Sequence, residues 1–309
     1  MWYNYLIIIA IVILVLILLT SFICYRLPFY SKNKKTQSDE IVLPDETFYQ
    51  LYKEQIIQDI TDVRNLKSKE YSIKSFDGLT LRGKYYECIK GAPIEIMFHG
   101  YRGSGERDLS TGVKRAFKCN RNAFVIDQRG SGNSEGHTIT FGIKERFDCQ
   151  SWAYFVAKEF GPDVKIILTG ISMGAATVLL ASSMDLPENV IGVLADCGYN
   201  KASNIIKKVI KDMKLPANIF YPFVKLGARL YGHFNLEETS PYESVQHSKL
   251  PIIFIHGDKD DFVPCHMSEK MYNACTSKKR IVTIKNAEHG VSYLVDPDTY
   301  IKELNDFFK

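Results

Sequence analysis

A Gly-x-Ser-x-Gly motif at residues 170–174 constrains the fold of this chain more than any other feature. A short apolar run at 166–168 precedes the motif, and helix-forming residues at 175–181 follow it. A strand that turns this sharply into a helix needs glycine on both sides of the serine, because larger side chains would collide. The pattern is typical of a nucleophile elbow and predicts that Ser172 stands exposed at its apex.

Short apolar runs alternate with helical patterns through the rest of the chain. The apolar runs, which we predict to be strands, are residues 94–98, 123–126, 166–168, 190–194, 252–255 and 281–284. Helical patterns cover residues 143–159, 175–184 and 267–274. Strands without polar alternation suit a parallel sheet that is covered on both faces. The sequence therefore predicts a doubly wound α/β domain, preceded by a hairpin over residues 71–86.

The first 25 residues have the character of a membrane span. Residues 6–25 carry no charge, and about 20 apolar residues are needed to cross a bilayer core. A cleaved signal peptide would need a basic start and a small-residue cleavage site, and neither is present. We therefore predict a retained single-pass anchor at 1–25. Because Lys and Arg occur only after the span, the positive-inside rule predicts a cytoplasmic catalytic domain.

The predicted domain organisation follows from this anchor. Residues 26–43 are expected to form a linker, and residues 44–309 the α/β domain. An amphipathic pattern at 44–65 predicts a helix that packs on this domain. The alternation of strands and helices breaks at 201–245, where we expect a small helical lid that lines the substrate pocket.

Composition excludes several classes of function. The net charge of +4 gives no case for a nucleic-acid partner. Seven scattered cysteines without a CxxC pair or Cys/His spacing argue against a disulfide framework and structural zinc, and suit a reducing compartment. Cys149 and Cys197 lack the context of a nucleophile, and we predict that both are buried.

Two polar segments follow the last predicted strands, where catalytic groups gather in parallel sheets. Asp258, Asp260 and Asp261 follow the strand that ends near residue 257, and His289 follows the last strand. In this fold the chain order of a catalytic triad is Ser, then Asp or Glu, then His. The same loop does not suit calcium, because Phe262 occupies a position that needs an oxygen ligand.

The chain resembles the α/β-hydrolases, and specifically the bacterial serine hydrolases near the prolyl-oligopeptidase-type esterases. The resemblance covers residues 70–309 and rests on the elbow and on three further motifs: HGYRG at 99–103, DQRGSGNS at 127–134 and HGDKDDFVP at 256–264. It implies a mostly parallel eight-stranded sheet. It also implies Asp260 as the triad acid, with Asp261 and then Asp258 as alternatives, and the backbone N–H groups of Tyr101 and Met173 as oxyanion donors.

These residues predict a serine hydrolase that needs no cofactor and no metal. Ser172, His289 and Asp260 would cleave a carboxylic ester, or a thioester, through an acyl-enzyme. The expected partners are a small-molecule or lipid-like acyl ester and the membrane. A peptidase, an acyltransferase and a non-catalytic membrane-tethered binding protein remain as alternatives. We expect His99 and His256 to be structural, and Arg102 and Arg129 to form structural ion pairs.

Overall fold

The computed structural model describes residues 2–32 and 47–309 of the chain. The remainder of the predicted linker, and the start of the predicted helix at 44, lie outside the described residues.

Eight strands form one sheet in the order β1-β2-β4-β3-β5-β6-β7-β8. The strands are β1 Ser68–Lys74, β2 Thr80–Tyr86, β3 Ile94–Phe98, β4 Asn122–Asp127, β5 Ile166–Ile171, β6 Val190–Asp196, β7 Ile252–Gly257 and β8 Lys279–Ile284. Strand β2 is antiparallel to both of its neighbours, whereas β4 to β8 run parallel. The predicted fold class is confirmed: this is a mostly parallel eight-stranded α/β-hydrolase sheet.

Twelve helices lie among the described residues. They are α1 Trp2–Arg26, α2 Thr47–Leu51, α3 Lys53–Arg64, α4 Gly105–Lys118, α5 Glu145–Phe160, α6 Met173–Ala181, α7 Ala202–Asp212, α8 Ala217–Leu230, α9 Pro241–His247, α10 His266–Ala274, α11 Ser292–Val295 and α12 Pro297–Phe307. Every side chain of β3 and β7 is buried, because helices cover both sheet faces. Helices α5, α6 and α10 contribute to the core on one face, and α4 and α12 to those on the other.

Helix α1 is the one helix among the described residues that is long and apolar enough to cross a membrane. Its side chains are exposed through most of its length, but Ser21, Cys24 and Tyr25 in its last two turns are buried. These turns pack against α8, where a Cβ on Gly227 would lie 2.3 Å from the Ser21 carbonyl oxygen. Glycine at 227 is therefore what lets the two helix backbones approach so closely.

The chain after α1 lies against the α/β domain as far as it is described. Phe29 is fully buried, and Tyr30 forms an isolated antiparallel bridge with Thr138. The Tyr25 hydroxyl is 2.8 Å from the Thr138 hydroxyl. Residues 27–32, which fall in the predicted linker, thus bring the end of α1 directly onto the domain.

The insertion at 201–245 contains α7, α8 and the start of α9, between β6 and β7. Most of its buried apolar side chains share one cluster with Cys24, Tyr25 and Phe29. The Tyr231 hydroxyl also donates a hydrogen bond to the Leu18 carbonyl oxygen, at 3.1 Å. The insertion therefore packs against α1.

Candidate active site

Ser172 stands between β5 and α6 with φ of 56° and ψ of −116°. Such a backbone is strained for a residue with a side chain, and strain of this kind concentrates at functional sites. A Cβ on Gly170 would lie 2.2 Å from the Gly174 backbone, and one on Gly174 would lie 2.0 Å from the Phe98 carbonyl oxygen. The two glycines of the motif are thus required by contact with neighbouring backbone.

The structure brings Ser172, His289 and Asp260 into one hydrogen-bonded chain. Ser172 Oγ is 2.9 Å from His289 Nε2, and His289 Nδ1 is 2.7 Å from Asp260 Oδ2. Asp260 follows β7 and His289 follows β8, so both reach the carboxyl edge of the sheet where the elbow stands. A carboxylate on Nδ1 selects the tautomer whose Nε2 can accept the serine proton.

The Asp260 carboxylate is buried and held by four donors. Oδ1 accepts the backbone N–H groups of Phe262 and Val263, at 3.0 and 2.7 Å. Oδ2 accepts from His289 and also from His256, whose Nε2 is 3.1 Å away. Burial by itself would raise the pKa of Asp260, but the hydrogen bonds from His256 and His289 lower it to about 2. The group is therefore an anion at neutral pH.

The two alternative aspartates do not contact His289. Asp258 Oδ1 accepts the Asn286 backbone N–H at 2.7 Å and so joins the β7 and β8 loops. Asp261 is exposed to solvent. Of the three aspartates in this loop, Asp260 alone has a hydrogen bond to the histidine.

His256 positions Asp260, a role that the sequence did not indicate. Its Nε2 lies 2.7 Å from the Val263 carbonyl oxygen as well as near Asp260, and its Nδ1 lies 2.7 Å from Ser268 Oγ. Because a carbonyl can only accept, Nε2 carries the proton and donates to both oxygens. The prediction that His256 is structural agrees with its bond to the Val263 carbonyl oxygen, and its four-residue spacing from Asp260 is the sequence signal for the second contact.

The turn at residues 99–103 lies over Ser172. A Cβ on Gly100 would be 3.6 Å from Ser172 Cβ. His99 is 2.7 Å from the Gly100 carbonyl through Nδ1, and its Nε2 accepts the Gln128 backbone N–H at 3.1 Å. Gln128 Nε2 donates to the His99 carbonyl oxygen in return. These bonds fix the turn, which includes Tyr101, beside the elbow.

The two arginines that were expected to form structural ion pairs have different partners. Arg129 is buried and paired with Asp148 and Asp77, as predicted. For Arg102 no ion pair is found among the described residues, so the predicted pairing is not observed there. Instead, its guanidinium donates to the carbonyl oxygens of Leu27 and Tyr30.

A cavity of about 290 Å³ opens beside Ser172 and His289. Tyr49 and Ile56 from the N-terminal helices, Leu109 from α4, and Leu294 from α11 are among its lining residues. None of its described lining residues comes from 201–245, so the expectation that this insertion lines the pocket was wrong. The helix near 44–65, predicted only to pack on the domain, supplies that wall instead.

The part of the cavity lined by Arg115, Asp196 and Tyr300 is polar. Tyr300 donates its hydroxyl to Asp196 Oδ2 at 2.8 Å, whereas Oδ1 has no hydrogen-bond partner among the described residues. Burial raises the pKa of Asp196. Arg115 also lines this part, but its guanidinium forms an ion pair with the Glu95 carboxylate, with 2.6 Å between Nη2 and Oε2. The lining of the cavity thus combines apolar side chains with a buried carboxyl group.

Cys197, Asp260 and His289 form the one group among the described residues whose potential metal-ligand atoms lie within 4.8 Å. The His289–Asp260 hydrogen bond already accounts for two of these atoms. Burial raises the pKa of the Cys197 thiol well above its usual value, whereas a metal binds the thiolate. The donor set therefore fits a hydrogen-bonded pair better than a metal centre. Cys149 and Cys197 are both buried, as predicted.

Comparison with known proteins decides the family. The model of the prolyl oligopeptidase family matches residues 124–309, a region that includes the elbow, Asp260 and His289. The chain belongs to the prolyl oligopeptidase family. This member is a hydrolase with the α/β-hydrolase fold, and its N-terminal helices lie outside the matched region.

Individual relatives of this family member are distant. The Bacillus subtilis protein YqkD is 26% identical over 187 residues, which are 60% of this chain and 61% of that protein. A Pyrococcus furiosus esterase superposes with a TM-score of 0.65 at 20% identity, covering 89% of this chain and 97% of the esterase. A membrane phospholipase A, a bacterial virulence factor, gives a TM-score of 0.57 at 14% identity, with 84% and 92% covered.

Proposed function

We propose that this hydrolase cleaves carboxylic esters, with Ser172 as nucleophile, His289 as general base and Asp260 as the group that orients His289. The observation that carries this proposal is the unbroken hydrogen-bonded chain from Ser172 Oγ through His289 to Asp260. A serine hydroxyl is a poor nucleophile until an adjacent base accepts its proton. The ionised Asp260 supplies the charge that stabilises the imidazolium formed at that moment.

The reaction proceeds through an acyl-enzyme. Ser172 Oγ attacks the ester carbon while His289 Nε2 takes the hydroxyl proton, and the same nitrogen then protonates the departing alcohol. Water next attacks the acyl-enzyme with His289 again as base, releasing the acid and restoring Ser172. Phe262 lies edge-on to the His289 ring at 5.0 Å and partly shields it from solvent.

The backbone N–H groups of Tyr101 and Met173 are the proposed oxyanion donors. Met173 directly follows the nucleophile at the start of α6, where the helix dipole favours negative charge. Neither N–H has another acceptor among the residues that the structure describes. Two such donors, directed at the tetrahedral oxyanion, typically lower the barrier by about 3 kcal/mol each.

The cavity favours a small or lipid-like acyl group. A volume of about 290 Å³ with apolar walls beside Ser172 accommodates an acyl chain. The esterase and the phospholipase among the structural neighbours agree with ester substrates. The family name favours a peptidase as the second candidate, and thioester cleavage or acyl transfer would use the same residues.

We also propose that residues 1–25 are a single-pass anchor, with the hydrolase domain (44–309, including the insertion at 201–245) on the cytoplasmic side. The exposed apolar surface of α1 and the cations that follow it support this topology. A membrane-impermeant thiol reagent tests the side, because Cys88 is a half-buried free thiol. Labelling of Cys88 is expected only after lysis, with Cys88→Ser as the control, and labelling in intact cells would refute it.

An ester series tests the activity. Full-length protein in detergent should hydrolyse p-nitrophenyl acetate, butyrate and octanoate, and Ser172→Ala should lose this activity. A p-nitroanilide of a short peptide, tested in parallel, distinguishes the peptidase. Hydrolysis of the anilide without hydrolysis of any ester would overturn the ester proposal in favour of the second candidate.

A further inference from the structure

A second cavity, of about 390 Å³, lies where α1 meets the α/β domain, and its lining is strongly basic. Four cationic side chains line it: Arg26, Lys32, Arg102 and Arg107. The remaining wall includes Ser104 and the glycine-containing turn at 130–132. Nothing in the proposed hydrolysis uses this cavity.

Among the described residues, carboxylates compensate only part of the positive charge of this cavity. Arg26 stacks on the Tyr30 ring at 3.5 Å, and Arg102 donates to backbone carbonyls. Neither of these arginines, nor Lys32, has a carboxylate within 4.0 Å in the described part of the chain. Arg107 does, with its Nε 2.5 Å from Asp108.

One further acidic residue, Asp127, lies beneath the glycine turn of this cavity. A Cβ on Gly132 would be 2.3 Å from either of its carboxylate oxygens. Those oxygens accept the backbone N–H groups of Gly105 and Asn133, each at 2.8 Å. Asp127 thus neutralises part of the local field but makes no ion pair with the four cations, so the described residues around the cavity carry a net positive charge.

The position of α1 sets the depth of this cavity relative to a bilayer. A hydrocarbon core takes about 20 helical residues, so the span ends between residues 21 and 25. At 1.5 Å per residue, Arg26 then lies within about 8 Å of the core edge, which is the headgroup layer. Because residues 27–30 dock on the domain, the whole basic cavity is held at that level.

We propose that this cavity binds the phosphate of an anionic phospholipid in the leaflet at the carboxyl end of α1. Guanidinium groups match phosphate oxygens in geometry and charge, and basic pockets beside membrane helices are suited to anionic headgroups. The inference rests on the proposed anchor but not on the proposed chemistry. A free phosphate would satisfy the same cations, so the test must separate the two sources.

The cavity is also coupled in structure to the active site. Arg107 lines both this cavity and the one beside Ser172. Arg102 follows Tyr101, whose hydroxyl donates to the Pro28 carbonyl oxygen at 2.9 Å. A bound headgroup therefore lies next to the turn that carries a proposed oxyanion donor, and an ester with a phosphate headgroup should show a lower KM than its neutral counterpart.

Binding is tested with full-length Ser172→Ala protein in neutral detergent, so that no ester is consumed. The probes are dihexanoylphosphatidylglycerol, dihexanoylphosphatidylcholine and inorganic phosphate, titrated by thermophoresis. We expect the anionic lipid to bind at least about tenfold more tightly than the zwitterionic lipid at low salt, and inorganic phosphate to bind far more weakly. Equal affinity for the two lipids overturns the proposal. If inorganic phosphate binds as tightly as the anionic lipid, the ligand of this cavity is free phosphate and not a lipid.

Charge variants locate the site. Arg26→Gln with Lys32→Gln should raise the Kd for the anionic lipid by about tenfold or more, since each cation near the surface contributes about fivefold. The matched control is Lys211→Gln with Lys214→Gln, which removes two exposed cations of the insertion and should change the Kd less than twofold. An equal effect of both pairs would refute the location. Thermal unfolding of the same variants checks that they fold without reference to activity. Loss of lipid binding in folded protein is therefore distinguishable from failure of the proposed hydrolysis, which is measured separately with Ser172 present.

Discussion

Replacing Asp260 with asparagine should abolish most activity while leaving the fold in place. The present carboxylate accepts four hydrogen bonds, two from backbone N–H groups through Oδ1 and two from His256 and His289 through Oδ2. An asparagine keeps one accepting oxygen and replaces the other by an N–H₂ group. Whichever way the amide is turned, the N–H₂ group faces two donors.

The amide rotamer that keeps the backbone bonds forces His289 into the other tautomer. Its Nδ1 would then accept from the asparagine, and the proton would move to Nε2, which faces Ser172 at 2.9 Å. That nitrogen can no longer take the serine proton. A change of this kind in a serine-histidine-aspartate triad lowers kcat by about 10⁴-fold, or about 5.5 kcal/mol of transition-state stabilisation.

The assay is kcat for a p-nitrophenyl ester, with thermal unfolding of each variant as the check on folding. Asp261→Asn is the matched control, because it changes an exposed aspartate in the same loop and should alter kcat less than twofold. A folded Asp260→Asn protein that retains kcat within tenfold of the wild type would refute the assignment. So would a large loss of kcat in Asp261→Asn.

Three further predictions concern the elbow, the buried ion cluster and the cavity wall. Gly174→Ala should lower the free energy of unfolding by about 3 kcal/mol or more, because its Cβ would lie 2.0 Å from a backbone oxygen. Urea titration measures this change, and an unchanged midpoint of urea unfolding would contradict it. Glu95→Gln should cost about 3–5 kcal/mol at pH 7, since it leaves Arg115 and Arg121 buried without a counter-charge. Burial would raise the pKa of Glu95, but these arginines lower it to about 2, so its stabilisation is present above about pH 4.5 and is lost as the pH falls toward 2. The deficit of the variant should therefore shrink at pH 3, and a constant deficit would count against the pairing. Ile56→Phe should reduce kcat/KM for the octanoate ester about tenfold more than for the acetate ester, because Ile56 lines the cavity. The control Ile219→Phe, on the insertion, should not change this ratio. Equal effects of the two variants would mean that the cavity does not hold the acyl chain.

Local patterns in the sequence predicted the sheet and the neighbours of the elbow well. Apolar runs without polar alternation identified the parallel strands, and glycines on both sides of Ser172 identified the sharp turn. The structure explains both through direct contact, because the central strands are covered on both faces and the glycines touch backbone. The chain order of Ser172, Asp260 and His289 also placed these residues together at one edge of the sheet.

Features that depend on contacts between distant segments were not readable in this way. Helical periodicity at 44–65 identified Ile56, Ile60 and Val63 as buried but could not show that Tyr49 and Ile56 border the cavity at Ser172. The insertion at 201–245 has a similar amphipathic pattern, yet it packs against α1. Likewise, the cations that follow α1 in the sequence predicted only the membrane topology. That cations converge around one cavity could be seen only in the folded structure.

Covalent labelling of the nucleophile tests the central claim most directly. Detergent-solubilised full-length protein is treated with a fluorophosphonate probe, and the modified residue is found by peptide mapping, with Ser172→Ala as the control. The account predicts one adduct, on Ser172, which is lost in the variant and weakened in Asp260→Asn. A folded wild-type protein that stays unlabelled, or an adduct that persists in Ser172→Ala, would contradict it.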